Sequence, residues 1–545
     1  MQRRFSLLVF LFALVFFLAC VPFGSFDTIV GDNIAQVGYW RSLFHRQFVG
    51  SIGASVMKPA LIVVLGVAHD LSWNLFDSTV LIHVVFALAA AALVMVVASI
   101  ARDVSGSWFA GCAAAVYLLV ATPTPSIYTT GSSMIAFFPP LLGGVQAFAR
   151  QRWLLGTLIL CLAALVRLEA FAVLLWLSIS EQLLKSRWRD FLVTASITAA
   201  TLLFTVATYY AAQGSVARFG AGGPATGYVF GQALDVWGRI WSVLTFSLES
   251  VYQLALQCGF PYLALPAAYA LARAPRVRSY ASLLAIPLFW LVLVTIGQGQ
   301  NQARYFQFVV PLIAGFGAAG VVIAFRDGEA LTPRRSKGLA VLAVFGFVTS
   351  LLLAALPVAL STAMVVLPAL LGWLMARASW SPNIAWVRGG FALLFAGVLL
   401  EAVIAGRFPE PPAVGTYTKD AEALLAKNQR LRGAAVLTED DLIYSVIVKD
   451  AGFFRSAMAL QDFNVRPEAR RTEVLQRADF VVISKGKHGW NYLRYDPRKL
   501  GSSDPFRSAI SRVLKRKRPI EIYGRRLVPV QNDRSFLILK VEPRA

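Results

Sequence analysis

Long apolar stretches separated by short charged turns fill most of the chain up to residue 407. A helix needs about 20 mainly apolar residues to cross the hydrocarbon core of a bilayer, so each stretch without Asp, Glu, Lys or Arg is a candidate crossing. The stretch 338–376 is long enough for two crossings and has Pro357 near its middle, where a tight turn is expected. The pattern predicts a polytopic α-helical membrane protein with about 13 transmembrane helices. The stretches lie near residues 5–23, 78–101, 105–125, 131–149, 153–166, 170–180, 191–217, 255–272, 279–303, 305–325, 338–376 and 389–400.

The pattern changes at the proline-rich linker 408–412, after which shorter apolar segments alternate with polar ones. This change predicts two units, a transmembrane domain over 1–407 and a soluble α/β domain over 408–545. The second unit has neither GxGxxG nor GxxxxGK[ST], so no nucleotide is assigned to it. Its predicted elements are a helix over Asp420–Arg430, buried strands over Ala434–Leu437, Asp479–Ser484 and Phe536–Val541, and a hairpin over Ile520–Val530 around Gly524.

Composition supports the membrane class. Of the 545 residues, 57% are hydrophobic and 15% charged, against about 45–50% apolar and about 25% charged in an ordinary soluble domain. The four cysteines lie in apolar stretches without metal-ligand spacing, so no divalent metal is supported and no cofactor is predicted. The first apolar run is 19 residues long and continues into Val-Pro-Phe, which favours an uncleaved anchor over a signal peptide.

The net charge of +22 is divided between the two units. Residues 408–545 hold 26 basic and 16 acidic residues, which gives +10, and the rest of the chain carries +12. In a polytopic protein, basic loops mark the cytoplasmic side and contact anionic lipid, so nucleic-acid binding is not expected. If Arg3 and Arg4 are cytoplasmic, the cytoplasmic loops hold 17 basic residues and the opposite face of the membrane domain holds seven. The odd number of crossings then places 408–545 on the periplasmic or extracellular side of the plasma (inner) membrane.

The basic residues on the external face need a physical reason, because an ionisable group near the bilayer costs several kcal/mol unless it is paired or hydrated. Lys58, Arg167 and Arg304 are all predicted there, and one phosphate group would satisfy all three. For Arg167 the alternative is an ion pair with Glu169, which requires a break because residues i and i+2 do not face each other along a helix. For Lys58 and Arg304 the alternative is snorkelling of the charge to the interface.

The first external loop, residues 24–77, is long for a connection and contains a helix-forming stretch over 34–48. It ends in Lys58-Pro59 and a short apolar run, 60–68, which predicts a structured lid on the membrane surface. Asp32 follows Gly31 at the start of the helical pattern. It is either a helix N-cap or a carboxylate base at the external edge of a cavity.

Four short motifs, in this order, resemble the GT-C class of integral-membrane glycosyltransferases, and within it the branch of protein O-mannosyltransferases (dolichyl-phosphate-mannose-protein mannosyltransferases) and lipid A aminoarabinose transferases. The resemblance covers residues 1–325. The motifs are Val30-Gly31-Asp32-Asn33, Met57-Lys58-Pro59-Ala60, Leu165-Val166-Arg167-Leu168-Glu169, and Arg304-Tyr305 ahead of Pro311.

The resemblance implies transfer of a sugar from a polyprenyl-phosphate carrier to an extracytoplasmic acceptor, either a glycolipid, a cell-wall polysaccharide or a protein. Asp32 would be the base that activates the acceptor hydroxyl, and Lys58, Arg167 and Arg304 would bind the carrier phosphate. Supporting residues would be Glu169, Asn33 and Tyr305. The chain departs from the family in having Asn33 and Met57 where acidic residues are frequent, which leaves the acceptor and any metal requirement open.

Two other classes of protein compete with this reading. A lipid or glycan transporter (flippase) would use cations at membrane depth to line a passage instead of a reaction site. Such folds often contain two similar halves, whereas this chain shows no repeat and is asymmetric, with a long first loop and an external domain. A receptor or scaffold would leave the buried charges without a purpose. The residues therefore favour an enzyme.

Overall fold

The computed structural model describes parts of both predicted units and most of the first seven predicted crossings. Asp32, Asn33, Arg304 and Tyr305 lie outside the described residues, as do the predicted crossings 338–376 and 389–400. The described residues are 2–20, 36–37, 40, 58–76, 80–120, 133–213, 237, 267, 270–271, 275–295, 309–327, 416–438, 442–443, 446, 450, 452–460, 468–485 and 505–543.

The described part of residues 1–407 is helical, and all its long helices except α2 follow the predicted apolar stretches. A π-helix over Ser178–Leu183 continues α7, and a 3₁₀-helix over Pro275–Leu284 leads into α9. The helices are α1 (Gln2–Cys20), α2 (Pro59–Phe76), α3 (Val80–Ser105), α4 (Trp108–Val120), α5 (Ser133–Ala149), α6 (Trp153–Val166), α7 (Glu169–Leu177), α8 (Trp188–Gln213), α9 (Ala285–Thr295) and α10 (Val309–Asp327).

Helix α3 is the central element of this bundle and packs against α1, α2, α4, α5 and α10. It has 26 residues, and its buried face carries Ala87, Ala90, Ala91, Ala98 and Ala101. Small side chains let neighbouring helix backbones approach closely, which is how helices associate where water supplies no hydrophobic driving force.

The outer surface of the bundle is apolar, and Leu8, Phe12 and Leu203 each expose about two thirds of their surface. Monomeric soluble proteins rarely expose contiguous apolar patches of this kind, so this surface is suited to hydrocarbon. Helices α2, α3 and the Trp188–Thr208 part of α8 are long and apolar enough to cross a membrane, and shorter apolar helices accompany them. The described bundle is therefore that of a helical membrane protein.

Helix α2 is longer than the apolar run 60–68 that was predicted to lie on the membrane surface. It continues to Phe76 because its polar residues have partners inside the protein. His69 is fully buried, and Asp70 accepts a hydrogen bond of 2.7 Å from the indole Nε1 of Trp40. Partnered polar groups can be buried in a helix that would otherwise end at the first charge.

The contacts of the first helices fix the relative direction of α1 and α3. The rings of Phe5 and Trp108 lie 4.6 Å apart, so the start of α1 and the start of α4 meet at one end of the bundle. Since α1 packs along α3, the two helices are antiparallel, and Cys20 and Val80 lie at the other end.

The C-terminal unit contains a six-stranded mixed sheet in the order β2-β1-β3-β6-β5-β4. The first three strands are parallel, and β6, β5 and β4 continue the sheet antiparallel. Its elements are α11 (Thr416–Lys427), a 3₁₀ turn (Gln429–Leu431), β1 (Ala435–Thr438), β2 (Ser456–Ala459), α12 (Glu468–Arg477), β3 (Phe480–Ser484), α13 (Pro505–Arg516), β4 (Ile520–Ile522), β5 (Arg525–Asn532) and β6 (Phe536–Pro543).

The predicted helix, the three predicted strands and the hairpin are confirmed as elements of this unit. The hairpin turns at Tyr523 and Gly524, both with positive φ of 50° and 66°, as a type I′ turn requires. Strand β2 and helices α12 and α13 were not predicted. The reason for β2 is its sequence Ser-Ala-Met-Ala, which lacks the β-branched and aromatic residues typical of strands.

Candidate functional site

Two of the predicted site residues, Arg167 and Glu169, lie at a break between α6 and α7. Helix α6 ends at Val166 and α7 begins at Glu169. Arg167 between them is extended, with φ −153° and ψ 131°, although its N–H still donates to the Ala163 carbonyl at 2.8 Å. This is the interruption that an Arg167–Glu169 pair was predicted to need.

The chain turns back at this break. Thr157, near the start of α6, and Gln182, beyond α7, both bond to the hydroxyl of Thr194, at 3.1 and 3.0 Å. The two short helices therefore run side by side in opposite directions, and Arg167 occupies the tip of the hairpin.

Arg167 and Glu169 form a buried ion pair at this tip. Nε and Nη2 of Arg167 donate to Oε1 of Glu169 at 2.9 and 2.5 Å, and the two side chains are 8% and 6% exposed. The guanidinium carbon also lies 5.8 Å from the centre of the Phe137 ring. The predicted alternative, an ion pair between Arg167 and Glu169, is therefore present in the structure. The same contacts hold the guanidinium in one orientation at the end of the bundle that contains the start of α5.

Lys58 is the last residue before α2 and is 5% exposed. Its backbone N–H donates to Oε1 of Gln36 at 2.8 Å, and Gln36 is itself fully buried. A snorkelling lysine would extend to the surface, so this burial is evidence against the snorkelling alternative. Helix α2 packs against α6, the helix that leads to Arg167.

Gln36 is a buried contact of Lys58 that the sequence interpretation missed. It lies within the helix-forming stretch 34–48, where a glutamine is indistinguishable from an exposed polar residue. Trp40, four residues later, covers Gly66 of α2, where a Cβ would be only 2.1 Å from the Trp40 ring. A glycine opposite an aromatic ring is a signal for close packing, but only the fold identifies the partners.

No described contact joins Lys58 to Arg167, and the convergence of Asp32, Lys58, Arg167 and Arg304 on one cavity remains a prediction. Among the described residues, no group of three or more His, Cys, Asp and Glu side chains is arranged to hold a metal ion.

Comparisons with known proteins give structural matches only, since neither a protein-family model nor a curated protein matches the chain. The chain is similar to crystal structures of ArnT from Cupriavidus metallidurans, bound to undecaprenyl phosphate and in the apo state. Each has 16% identity and a TM-score of 0.48, with 98% of this chain and 97% of that chain covered. It is also similar to the apo oligosaccharyltransferase of Archaeoglobus fulgidus, with 13% identity, a TM-score of 0.44, and 88% and 69% covered. These proteins are GT-C glycosyltransferases, the class that the sequence motifs resemble.

Proposed function

We propose that the chain is a glycosyltransferase that moves a sugar from a polyprenyl-phosphate carrier to an extracytoplasmic glycolipid, polysaccharide or protein. The observation that carries the proposal is the oriented, buried Arg167 at the break between α6 and α7. A charge at this depth costs several kcal/mol, and such residues in membrane helices usually mark a substrate site.

The proposed role of Arg167 follows from its chemistry. A guanidinium has five N–H donors, so one arginine can bind a carboxylate and a phosphate together. Glu169 would fix the guanidinium before the carrier arrives, and little reorganisation would be needed as the sugar–phosphate bond breaks and the phosphate gains charge. Lys58 and Arg304 would complete the neutralisation of the phosphate.

Asp32 is proposed as the base on the acceptor side. The acceptor hydroxyl attacks the anomeric carbon, its proton passes to the carboxylate, and the bond to the carrier phosphate breaks. A lipid phosphate is a good leaving group, so no general acid is assigned. Asn33 can orient an acceptor hydroxyl but cannot take its proton.

The decisive experiment compares Asp32→Asn with Asp27→Asn, a matched loss of charge in the same external loop, in the purified full-length protein. Asp32→Asn should lower sugar transfer by roughly 10²–10⁴-fold, the range attributed to general base catalysis, while carrier binding is retained. Asp27→Asn should leave transfer near the wild-type rate. Equal transfer by the two variants would reduce Asp32 to a helix cap.

The same assay separates an enzyme from a transporter. A transferase releases one polyprenyl phosphate for each sugar that appears on the acceptor. A transporter moves the intact carrier-linked sugar across the bilayer and releases none. Carrier-linked sugar that crosses proteoliposomes unchanged, with no free carrier formed, would contradict the proposal.

A further inference from the structure

A second cluster of buried charges lies at the end of the bundle opposite Arg167, where α3 ends and α5 turns into α6. Asp103 is the carboxylate that its arginines share. It accepts hydrogen bonds from Arg102 Nη2 at 2.8 Å, Arg150 Nε at 2.6 Å and Gln146 Nε2 at 3.0 Å. The side chains of Arg102 and Arg150 are 8% and 28% exposed. The proposed function assigns nothing to this cluster.

A third arginine lies at the same turn. Arg326, which is exposed near the end of α10, donates through Nη1 to the Ser105 carbonyl at 3.2 Å. Arg102 and Arg150 bond directly to Asp103. We call Arg102, Arg150 and Arg326 the arginine cluster.

One buried donor of the arginine cluster has no acceptor in the part of the chain that the structure describes. This donor is Nη1 of Arg102. The guanidinium carbon of Arg102 lies 4.7 Å from the centre of the Trp108 ring. This cation–π contact involves the face of the guanidinium and provides no acceptor for the Nη1 N–H group. A buried donor of a charged group without a partner is costly, so an acceptor is expected at this position.

The start of α4 adds a second source of positive potential beside Arg102. Trp108 is the first residue of α4, and the Ser107 hydroxyl caps the helix by accepting from the Phe109 N–H at 3.2 Å. The first N–H groups of a helix carry a partial positive charge. A cation beside a helix N-terminus is unfavourable by itself, whereas an anion between them is stabilised by both.

The apolar surroundings indicate where such an anion would come from. Trp108 and Phe109 adjoin the cluster and are 38% and 69% exposed. Exposed aromatic residues beside basic ones are typical of the level of lipid headgroups. We propose that the arginine cluster binds the phosphate of an anionic phospholipid headgroup, with Arg102 Nη1 as a donor and Trp108 and Phe109 against the acyl chains.

The test is native mass spectrometry of the purified full-length protein titrated with phosphatidylglycerol or phosphatidylcholine. Phosphatidylglycerol should bind at least about tenfold more tightly, and Arg102→Gln should remove most of this preference, because about 1.4 kcal/mol of charge-assisted bonding corresponds to a factor of ten. Arg152→Gln is the matched control, since Arg152 is exposed at the same end and its side chain does not cap α6. It should change the affinity less than about twofold, as expected of an exposed charge.

Two further measurements keep the proposal testable if Arg102→Gln impairs folding. Arg326→Gln keeps the bonds from Arg102 and Arg150 to Asp103 and should also weaken phosphatidylglycerol binding. Arg102→Lys should retain part of the phosphatidylglycerol binding, because lysine keeps the positive charge. Equal affinity of the wild type for the two lipids would overturn the proposal. Wild-type affinity for phosphatidylglycerol in both Arg102→Gln and Arg326→Gln would overturn it as well. Inorganic phosphate at millimolar concentration is the final competitor. If it displaces the bound lipid, and the protein shows no preference between the two lipids, the cluster binds a free anion instead.

Discussion

The Arg167–Glu169 pair shows how one contact can serve both stability and binding. Removing one partner of a buried pair leaves an uncompensated charge, and Arg167→Ala should destabilise the protein by about 3–5 kcal/mol. Arg167→Ala combined with Glu169→Ala should recover most of this loss. Thermal unfolding in detergent measures both effects, with Arg152→Ala as the exposed control.

Carrier binding separates the two roles of Arg167. If Arg167 contacts the carrier phosphate, the double variant should fold but still bind polyprenyl phosphate weakly. If the double variant binds the carrier like the wild type, the pair is structural only. In that case the phosphate assignment of Arg167 is wrong.

Asp533, in the turn between β5 and β6, makes stability depend on pH. Partial burial alone would raise the pKa of its carboxyl. Hydrogen bonds from the Phe536 N–H, the Gln531 side chain and the Ser535 N–H, with the charge of Lys485, lower the pKa below its ordinary value instead. A depressed pKa means that the folded form stabilises the carboxylate.

The sign of the resulting pH effect follows from linkage. The stabilisation is fully present above the unfolded pKa of about 3.9 and is lost as the pH falls through the lower, folded pKa. Thermal unfolding of the wild type should therefore show a loss below about pH 4 that is smaller in Asp533→Asn. An identical pH profile for the two proteins would contradict this role.

Helices α5 and α6 illustrate packing at the scale of an element. They approach closely through glycines, since a Cβ on Gly144 would lie 2.5 Å from Cγ and 3.2 Å from the backbone N of Leu160. A Cβ on Gly156 would lie 2.4 Å from the Phe148 ring. Small residues at such crossings allow the backbone contact that holds membrane helices together.

Neighbouring glycines of α5 provide a matched test of this packing. Gly144→Ala should destabilise the protein by about 1–3 kcal/mol, because the added methyl forces the helices apart. Gly143→Ala should be neutral or slightly stabilising, since its Cβ would meet only ordinary contacts at 3.8 and 4.0 Å. Equal melting temperatures for the two variants would contradict this role, because they would show that the close contact at Gly144 does not contribute to stability.

At the scale of the whole molecule, basic residues from distant loops meet at one end of the bundle. Arg102 and Arg150 share Asp103, Arg326 bonds to Ser105, and Arg187 lies 5.0 Å from the centre of the Trp153 ring. Because basic residues are enriched on the cytoplasmic side of membrane proteins, we propose that this end faces the cytoplasm. The hairpin tip at Arg167 would then face outward.

Topology reporters test this orientation. A reporter that is active only in the periplasm should be active when fused after Ala545. A cysteine introduced at Arg152 should react with an impermeant thiol reagent only from the cytoplasmic side. A cytoplasmic reporter that is active after Ala545 would overturn the assignment of every external charge.

Local patterns in the sequence were sufficient for most of the described elements and for the helical membrane class. The apolar stretch 153–166 matches α6, the charged residues Arg167 and Glu169 mark the break, and the strands of Phe480–Ser484 and Phe536–Pro543 follow their apolar runs. These features depend on neighbouring residues, because burial of a continuous apolar surface and the position of a turn are encoded within one element.

The tertiary structure alone decided which polar groups meet. Gln36 bonds to the N–H of Lys58, Trp40 bonds to Asp70, and Asp103 joins α3 to Gln146 of α5 across more than 40 residues. Strand β2 is held in the sheet by pairing with β1, which its own sequence does not indicate. Such contacts depend on how whole elements pack, and the free energy of a buried charge is determined by partners that lie far along the chain.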